Sequence, residues 1–313
     1  MGRVLVTRQL PPGGCDPLLA AGHEVVRRDN DDPYTTEELV ELVPGFDGLV
    51  CLLTDRIDAA VLRAGAGGRL RVVANVAVGF DNIDTVTAAD LAIAIRNTPD
   101  VLSGTTADLA FLLILGAARL ASEAESELRS GRWTGWSLTH NLGVDVHGAL
   151  LGLLGYGRIG REVARRATGF GMEVLHHSRH DTGLPGYVPT MDELLRSVDI
   201  LSIHVPLTDA THHLIGAREL SLMKSTAVVV NTARGPVIDE SALIRALHAG
   251  TIFAAGLDVY ENEPHVRADL IAAPRTMLLP HIGSATSRTR LRMARLACQG
   301  VCDVLGAPDH QSG

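Results

Sequence analysis

Aromatic side chains are scarce in this chain: Phe, Trp and Tyr together make up only 4% of it. Its cores must therefore be built mostly from Ala, Val, Leu and Ile, which the 46% hydrophobic content can supply. Long apolar runs are also missing. The longest, residues 109–118, is too short to span a bilayer, which argues against a membrane protein. Residues 1–7 lack the apolar core and cleavage site of a signal peptide and read instead as a first strand, so a soluble, cytoplasmic protein is expected. There is no basic excess. A net charge of −8 and a pI of about 5.9 leave no electrostatic footprint for nucleic acid. Cysteine is rare: Cys15, Cys51, Cys298 and Cys302 form no disulfide framework in a chain of 313 residues. Cys298 and Cys302 share a helix face but have no third ligand nearby, so they read as reduced thiols, and no metal is expected.

What is present is a regular alternation. Short apolar runs at 4–7, 24–27, 48–53, 72–77 and 92–96 read as strands, with helical stretches at 16–21, 36–43, 58–64 and 85–89 between them. That order implies βαβ units around a parallel sheet. Asn97-Thr-Pro-Asp100 interrupts it, because proline drives the preceding residue out of the helical region. One long apolar helix is predicted over 106–128, followed by a loop, Arg132-Trp-Thr-Gly-Trp136, with both tryptophans of the chain. A second alternation runs from 149 to 279, and a final helix is predicted near 286–305. The expected architecture is α/β, with two doubly wound parallel-sheet domains. One, flavodoxin-like and discontinuous, takes residues 1–98 plus 284–313 and binds substrate. The other, a Rossmann domain over 99–283, binds a dinucleotide. With 313 residues, two domains fit the length.

Gly155-Tyr-Gly-Arg-Ile-Gly160 follows a predicted strand and opens a predicted helix, the context a dinucleotide turn requires. The first glycine permits the tight turn, the second lets a pyrophosphate approach the backbone, and the third lets helix and strand pack closely. Free N–H groups and the helix dipole favour the anion. The next strand commonly ends in an acid that binds the ribose hydroxyls. Here it ends His176-His-Ser-Arg-His180, with Ser178 at the acidic position and Asp181 three residues too late. An acid would repel a 2′-phosphate, whereas serine and arginine bind one, so NADP(H) is favoured over NAD(H).

Three residues carry the expected chemistry. Arg234, in Asn231-Thr-Ala-Arg-Gly235, lies just past a strand at the ligand end of an α/β sheet, where a guanidinium holds a carboxylate by a bidentate pair. Glu263 and His281 also follow strand ends. A carboxylate beside an imidazole favours the protonated ring, which can then give a proton to a developing alkoxide. Each residue alone reads more readily as structural, and the joint pattern points to hydride transfer on a 2-oxo or 2-hydroxy acid. His212-His213 and His176-His177 have no metal-ligand spacing and read as surface or satisfied polar groups.

With these residues the chain resembles the D-isomer-specific 2-hydroxyacid dehydrogenases over nearly its whole length. Ala77-Val-Gly-Phe-Asp-Asn-Ile-Asp84, Thr105-Thr-Ala-Asp-Leu-Ala110, His204-Val-Pro-Leu-Thr208, Ala255-Gly-Leu-Asp-Val259 and His281-Ile-Gly-Ser284 carry the likeness, alongside the turn and the arginine motif. Within the family it looks most like the glyoxylate/hydroxypyruvate reductases, through Leu52-Leu-Thr-Asp55, the tryptophan loop and the Ser178-Arg179 strand end.

The resemblance implies Arg234, Glu263 and His281 as catalytic residues. It implies substrate contacts from Leu53 and the backbone of Val78 and Gly79. Cofactor contacts are implied for Thr106 and for the turn, Gly155, Tyr156, Gly157, Arg158, Ile159 and Gly160. Ser178, Arg179, His180, Thr232, Ala233, Arg234, Asp258, His281 and Gly283 complete the set. It also implies a homodimer through the long helix. Residues 181–189 form a short connection where relatives often carry another helical stretch. The alternatives are an NAD-dependent D-2-hydroxyacid or phosphoglycerate dehydrogenase, and a nucleotide-gated binding protein such as the C-terminal-binding-protein corepressors. Partner function that survives Arg234→Ala would separate the last from an enzyme.

Overall fold

The computed structural model describes residues 1–28 and 30–306; the tail assigned above to the substrate domain, 307–313, lies outside them. Among the described residues the strands form two all-parallel sheets. The first contains β1 (Arg3–Val6), β2 (Glu24–Arg27), β3 (Gly48–Cys51), β4 (Val72–Asn75) and β5 (Ala94–Arg96), in the order β2-β1-β3-β4-β5. Helices α1 (Asp16–Ala20), α2 (Thr36–Leu42), α3 (Ala59–Ala66) and α4 (Thr85–Asp90) alternate with these strands. Then come α5 (Ser103–Ala118), α6 (Ala121–Arg129), β6 (Leu150–Leu154), α7 (Arg158–Ala167), β7 (Glu173–His177) and α8 (Met191–Ser197). They are followed by β8 (Ile200–Ile203), α9 (Ala217–Leu222), β9 (Val228–Asn231), α10 (Glu240–Ala249), β10 (Ala254–Leu257), α11 (Ala268–Ile271) and β11 (Thr276–Leu278). The second sheet has the order β11-β10-β9-β8-β6-β7. The last helix is α12 (Ser287–Leu305).

The chain divides into two compact units, Met1–Leu102 with the stretch from Ser284 onward, and Ser103–Gly283. Each is doubly wound, with helices on both faces of its sheet. In the first, Leu5, Leu49, Cys51 and Val73 pack with α2, α3 and α4 residues such as Leu39, Leu62 and Ala88. The alternate strand positions Val4, Val6, Val50 and Val72 pack with Leu18 of α1 and with Ala297, Cys298 and Val301 of α12. In the second, Val228 and Val230 face α5 and α7, while Val229 between them faces α8, α9 and α10. Period-two alternation thus feeds two cores from one strand. Each buried Val, Leu or Ile contributes about 1.5–3 kcal/mol.

Helix starts are set by short polar side chains. Thr35, Asp58, Asp84, Thr190, Asp239 and Thr286 each accept a backbone N–H in the first turn of the helix they precede. Replacing such a cap by Ala costs about 1 kcal/mol.

The long helix predicted over 106–128 is two helices. α5 starts at Ser103 and ends at Ala118, Leu120 takes a left-handed backbone (φ 54°), and α6 leaves at 69°. The reason is remote in sequence: Val144 N–H donates to the Ala118 carbonyl at 2.9 Å, giving that carbonyl a partner outside the helix. α6 then buries none of its residues, as its polar sequence ASEAESELR requires. Several strands end sooner than predicted, because Leu52, Leu53, Val76 and Ala77 already belong to the loops leaving β3 and β4. The 181–189 connection, which precedes the crossover helix α8, holds no helix of its own. It returns along the sheet edge, with His176 N–H donating to Gly186 O and Val188 N–H to His176 O, both at 2.8 Å. Among the described residues no single helix is long and apolar enough to cross a membrane.

Candidate active site

In the Ser103–Gly283 unit the strand order reverses between β6 and β8, and ligands of open α/β sheets bind at such a switch point, beyond the C-terminal strand ends. The glycine turn stands there. Gly155 has φ 96°, and a Cβ on it would meet the His204 backbone at 2.8 Å, so a side chain is both strained and obstructed. A Cβ on Gly160 would stand 2.5 Å from Gly155 O, whereas Gly157 has no described atom within 4 Å of that position. The turn is thus closed against β8 and open at Gly157, the N-cap of α7, whose first turn receives no side-chain cap. Below it, burial pushes the His204 imidazole down to about 4, so the ring is neutral at neutral pH. Its Nε2 meets the Ser202 hydroxyl at 2.9 Å.

Ser178, at the end of β7, accepts the Tyr156 N–H through its hydroxyl at 3.2 Å and so ties the strand end to the turn. The Tyr156 ring stacks on buried His176 with centroids 3.8 Å apart. Arg158, Arg179 and His180 are exposed. Asp181 turns back on its own chain, accepting the Gly183 N–H at 2.8 Å.

Three further loops converge in the same unit. The first follows β9. Asn231, 1% exposed, donates to Arg234 O at 2.8 Å and accepts the Ala233 N–H at 2.9 Å, which fixes the Thr232–Ala233–Arg234 turn. Arg234 Nη1 donates to Ala233 O. The next residue must be glycine, because a Cβ on Gly235 would lie 1.9 Å from the Tyr260 carbonyl carbon. The second loop, after β10, carries Glu263, whose Oε1 accepts the Tyr260 N–H at 2.9 Å. The third, after β11, carries His281, and the Tyr260 hydroxyl links the two loops by donating to Leu279 O at 2.9 Å. His281 has a left-handed backbone (φ 52°). Buried Asp258 holds the chain beyond it, accepting the Ile282 and Gly283 N–H groups at 2.7 and 2.8 Å. Thr106 on α5 donates to Gly283 O at 3.4 Å. The Thr232 hydroxyl is buried without a protein partner among the described residues.

His281 Nδ1 meets Glu263 Oε2 at 2.7 Å, with both side chains about three-quarters buried. Burial pushes the Glu263 carboxyl up. The hydrogen bond and charge of His281, the Tyr260 N–H and the Arg234 charge outweigh it and hold the group below the usual carboxylate range. Beside an ionised Glu263, Nδ1 is the donor, so Nε2 is the ring nitrogen left for other partners. A cation, an acid-held imidazole and a glycine turn thus belong to one sheet's C-terminal end.

Residues 111–283 match the family model described as D-isomer specific 2-hydroxyacid dehydrogenase, NAD binding domain. The chain belongs to the D-isomer-specific 2-hydroxyacid dehydrogenases. Members of this family are NAD(P)-dependent enzymes. Among its relatives is a glyoxylate reductase of Aeropyrum pernix, 46% identical over 309 residues, covering 96% of this chain and 91% of the other. A solved structure of a Thermus thermophilus protein superposes with a TM-score of 0.90 at 41% identity and covers 98% of each chain. The NADPH-dependent glyoxylate/hydroxypyruvate reductase of Sinorhizobium meliloti, solved with NADP and malonate, gives a TM-score of 0.82 at 36% identity, covering 95% and 91%.

The dehydrogenase's turn fits a nicotinamide dinucleotide. The open side at Gly157, the uncapped start of α7 and the buried, unpartnered Thr232 hydroxyl are the features such a ligand completes. Both oxygens of Asp258 hold the His281 loop in place.

In the other unit, Leu53 leaves β3 and Val78 and Gly79 leave β4, on either side of neighbouring strands. Sequence reading missed the side chains that shape these loops. Buried Asn75 donates to Gly79 O at 2.8 Å and to Asn82 Oδ1 at 2.9 Å. Asn82 donates to Leu52 O and Asp55 O, and Asn97 donates to Val78 O at 2.7 Å. Buried Asp55 accepts the Leu52 N–H and the Thr7 hydroxyl, and burial pushes its carboxyl up. Holding the Val78 and Gly79 carbonyls turns the N–H groups of the same trans peptides, those of Gly79 and Phe80, the opposite way. The available signal was Asn75 itself, a polar residue closing the buried run Val72-Val-Ala-Asn75.

Proposed function

We propose that the enzyme is an NADPH-preferring reductase of small 2-oxo acids, converting glyoxylate to glycolate and hydroxypyruvate to D-glycerate. The single observation that carries this reading is the 2.7 Å Glu263–His281 pair, with Arg234 charge acting on the same carboxylate. Arg234 binds the substrate carboxylate and polarises the adjacent carbonyl. Leu53 and the backbone of Val78 and Gly79 complete the substrate contacts. His281 holds a proton at Nε2 and gives it to the carbonyl oxygen as negative charge develops there, while Glu263 orients the ring and stabilises its cationic form. When bound, the reduced nicotinamide supplies the hydride. Thr106, the Gly155–Gly160 turn, Thr232, Ala233, Asp258 and Gly283 hold the dinucleotide. A 2-oxo acid reductase of this kind agrees with the names of its relatives.

The NADPH preference rests on Ser178 and Arg179. Ser178 spends an acceptor on Tyr156 N–H and keeps its hydroxyl proton to donate, while Arg179 and His180 supply cationic or donor groups and Asp181 is engaged elsewhere. The homodimer reading rests on an apolar stretch beyond α5. Leu128, Trp133, Trp136 (80% exposed), Leu138 (79%) and Leu142 are all exposed large apolar side chains, of the kind that a partner surface covers.

Substitution of His281 by Ala tests the chemistry. Turnover of glyoxylate is expected to fall by about 10²–10⁴-fold, with NADPH affinity by fluorescence titration changed less than about twofold. Wild-type turnover in His281→Ala would refute the proton-donor role.

A further inference from the structure

Three of the four cysteines gather at one place, far apart in sequence. In the unit that includes the N-terminus, α12 packs on β3 and β4 and contributes Cys298 and Cys302, both buried, to the core on that face. The segment before α1 runs over this helix and is fixed to it on each side of Cys15. Arg295 donates to Gly13 O at 3.0 Å and pairs with Asp16 at 2.7 Å. A Cβ on Gly14 would stand 3.0 Å from that of Ala294, and the Cys302 thiol donates to Pro17 O at 3.5 Å. These contacts, on either side of it, lay Cys15 on the helix face that carries Cys298, and Cys15 packs against the core cluster that contains Cys298. Cys15 is half-buried and open to a small reagent, whereas Cys298 is fully buried. Cys51 packs against the opposite face of the same sheet, its thiol at 3.6 Å from Asn75 Oδ1.

The geometry points to Cys15 and Cys298 as a peroxide-reactive dithiol, in which a hydroperoxide oxidises Cys15 and Cys298 then closes on it as a disulfide. In the first step the Cys15 thiolate attacks the peroxide, an S–O bond forms and the O–O bond breaks. The sulfur loses two electrons, and the released oxygen leaves, protonated, as water or an alcohol. In the second, the Cys298 sulfur attacks the Cys15 sulfenic acid, the S–S bond forms and the S–O bond breaks. The departing hydroxide takes the Cys298 thiol proton and leaves as water. A low-molecular-weight thiol reverses the change by exchange at the half-exposed sulfur.

The division of labour has a physical basis. The hydrogen bond from Cys298 lowers the Cys15 thiol to about 7; burial opposes this, and the Arg27 charge assists it. The same contact, with burial, pushes Cys298 up and keeps it protonated until Cys15 has lost its negative charge. A lowered thiol holds more thiolate at neutral pH than an ordinary one, which outweighs its smaller intrinsic nucleophilicity.

The test treats the full chain with hydrogen peroxide at one equivalent, blocks remaining thiols, and maps peptides without reduction. The expected product is a Cys15–Cys298 linked peptide that dithiothreitol removes. Cys298→Ala should instead leave Cys15 as a sulfenic acid trapped by dimedone, and Cys15→Ser should leave the other thiols reduced at this dose. Alkylation of Cys15 should level off above about pH 7.5, where glutathione keeps accelerating. A Cys298–Cys302 link, oxidation in Cys15→Ser equal to the wild type, or Cys15 alkylation following the glutathione profile would each overturn the assignment.

Discussion

Glu263 shows how one contact sets both chemistry and acid stability. Its carboxyl titrates lower in the folded chain than in the unfolded one, mainly through His281 against the opposing effect of burial. A depressed carboxylate stabilises the fold at pH values above its unfolded value of about 4.3, and that contribution is lost as the pH falls through the lower, folded value. Thermal unfolding of the wild type and Glu263→Gln should therefore show a gap that is constant from about pH 6 to 5 and shrinks below about pH 4. A gap independent of pH would mean that the pair is not ionic. The same substitution should lower turnover by about 10- to 100-fold, because an amide orients the ring without stabilising its charge. The three residues of this group were legible one by one, each just past a strand. Their contact was not, since 18 residues separate Glu263 from His281 and only the tertiary fold joins them. The approach of Cys15 to the α12 cysteines was invisible for the same reason: spacing revealed the shared helix face of Cys298 and Cys302, but not the N-terminal segment lying over it.

At the scale of elements, one device recurs. β4 and β9 are buried runs that each close with an asparagine, and each asparagine shapes the loop that follows: Asn75 through Gly79 O, Asn231 through Arg234 O. A buried amide left out leaves its partners unsatisfied at a cost of about 1–3 kcal/mol. Asn75→Ala is accordingly expected to raise the KM for glyoxylate roughly tenfold or more, while NADPH affinity stays within about twofold. An unchanged KM would remove Asn75 from the substrate side. The alternation of strands and helices, and the turn at Gly155, could be read from sequence because hydrophobic period and glycine placement are local properties. The break between α5 and α6 could not be read, because it depends on Val144 meeting Ala118. Strand ends were overextended where apolar residues, Leu52, Leu53, Val76 and Ala77, serve loops rather than the sheet.

At the scale of the whole molecule, composition foretold aliphatic cores, and the described residues form four of them, one on each face of each sheet. Too few aromatics remain to spend casually, which makes the outward tryptophans at 133 and 136 informative. Light scattering should return about twice the 33.2 kDa chain mass, and joint replacement of Trp136 and Leu138 by Ser should halve it. A wild-type monomer would contradict the dimer reading. The central claim is a 2-oxo acid reductase whose cofactor choice follows from Ser178 and Arg179. Its most direct test is the initial rate of NADPH oxidation by the purified protein with glyoxylate, run beside NADH under identical conditions. Rapid turnover with kcat/KM for NADPH at least about tenfold above that for NADH is the predicted result, a difference of about 1.4 kcal/mol. Turnover with NADH alone would contradict the phosphate-binding reading of β7, and turnover with neither would contradict the reductase itself.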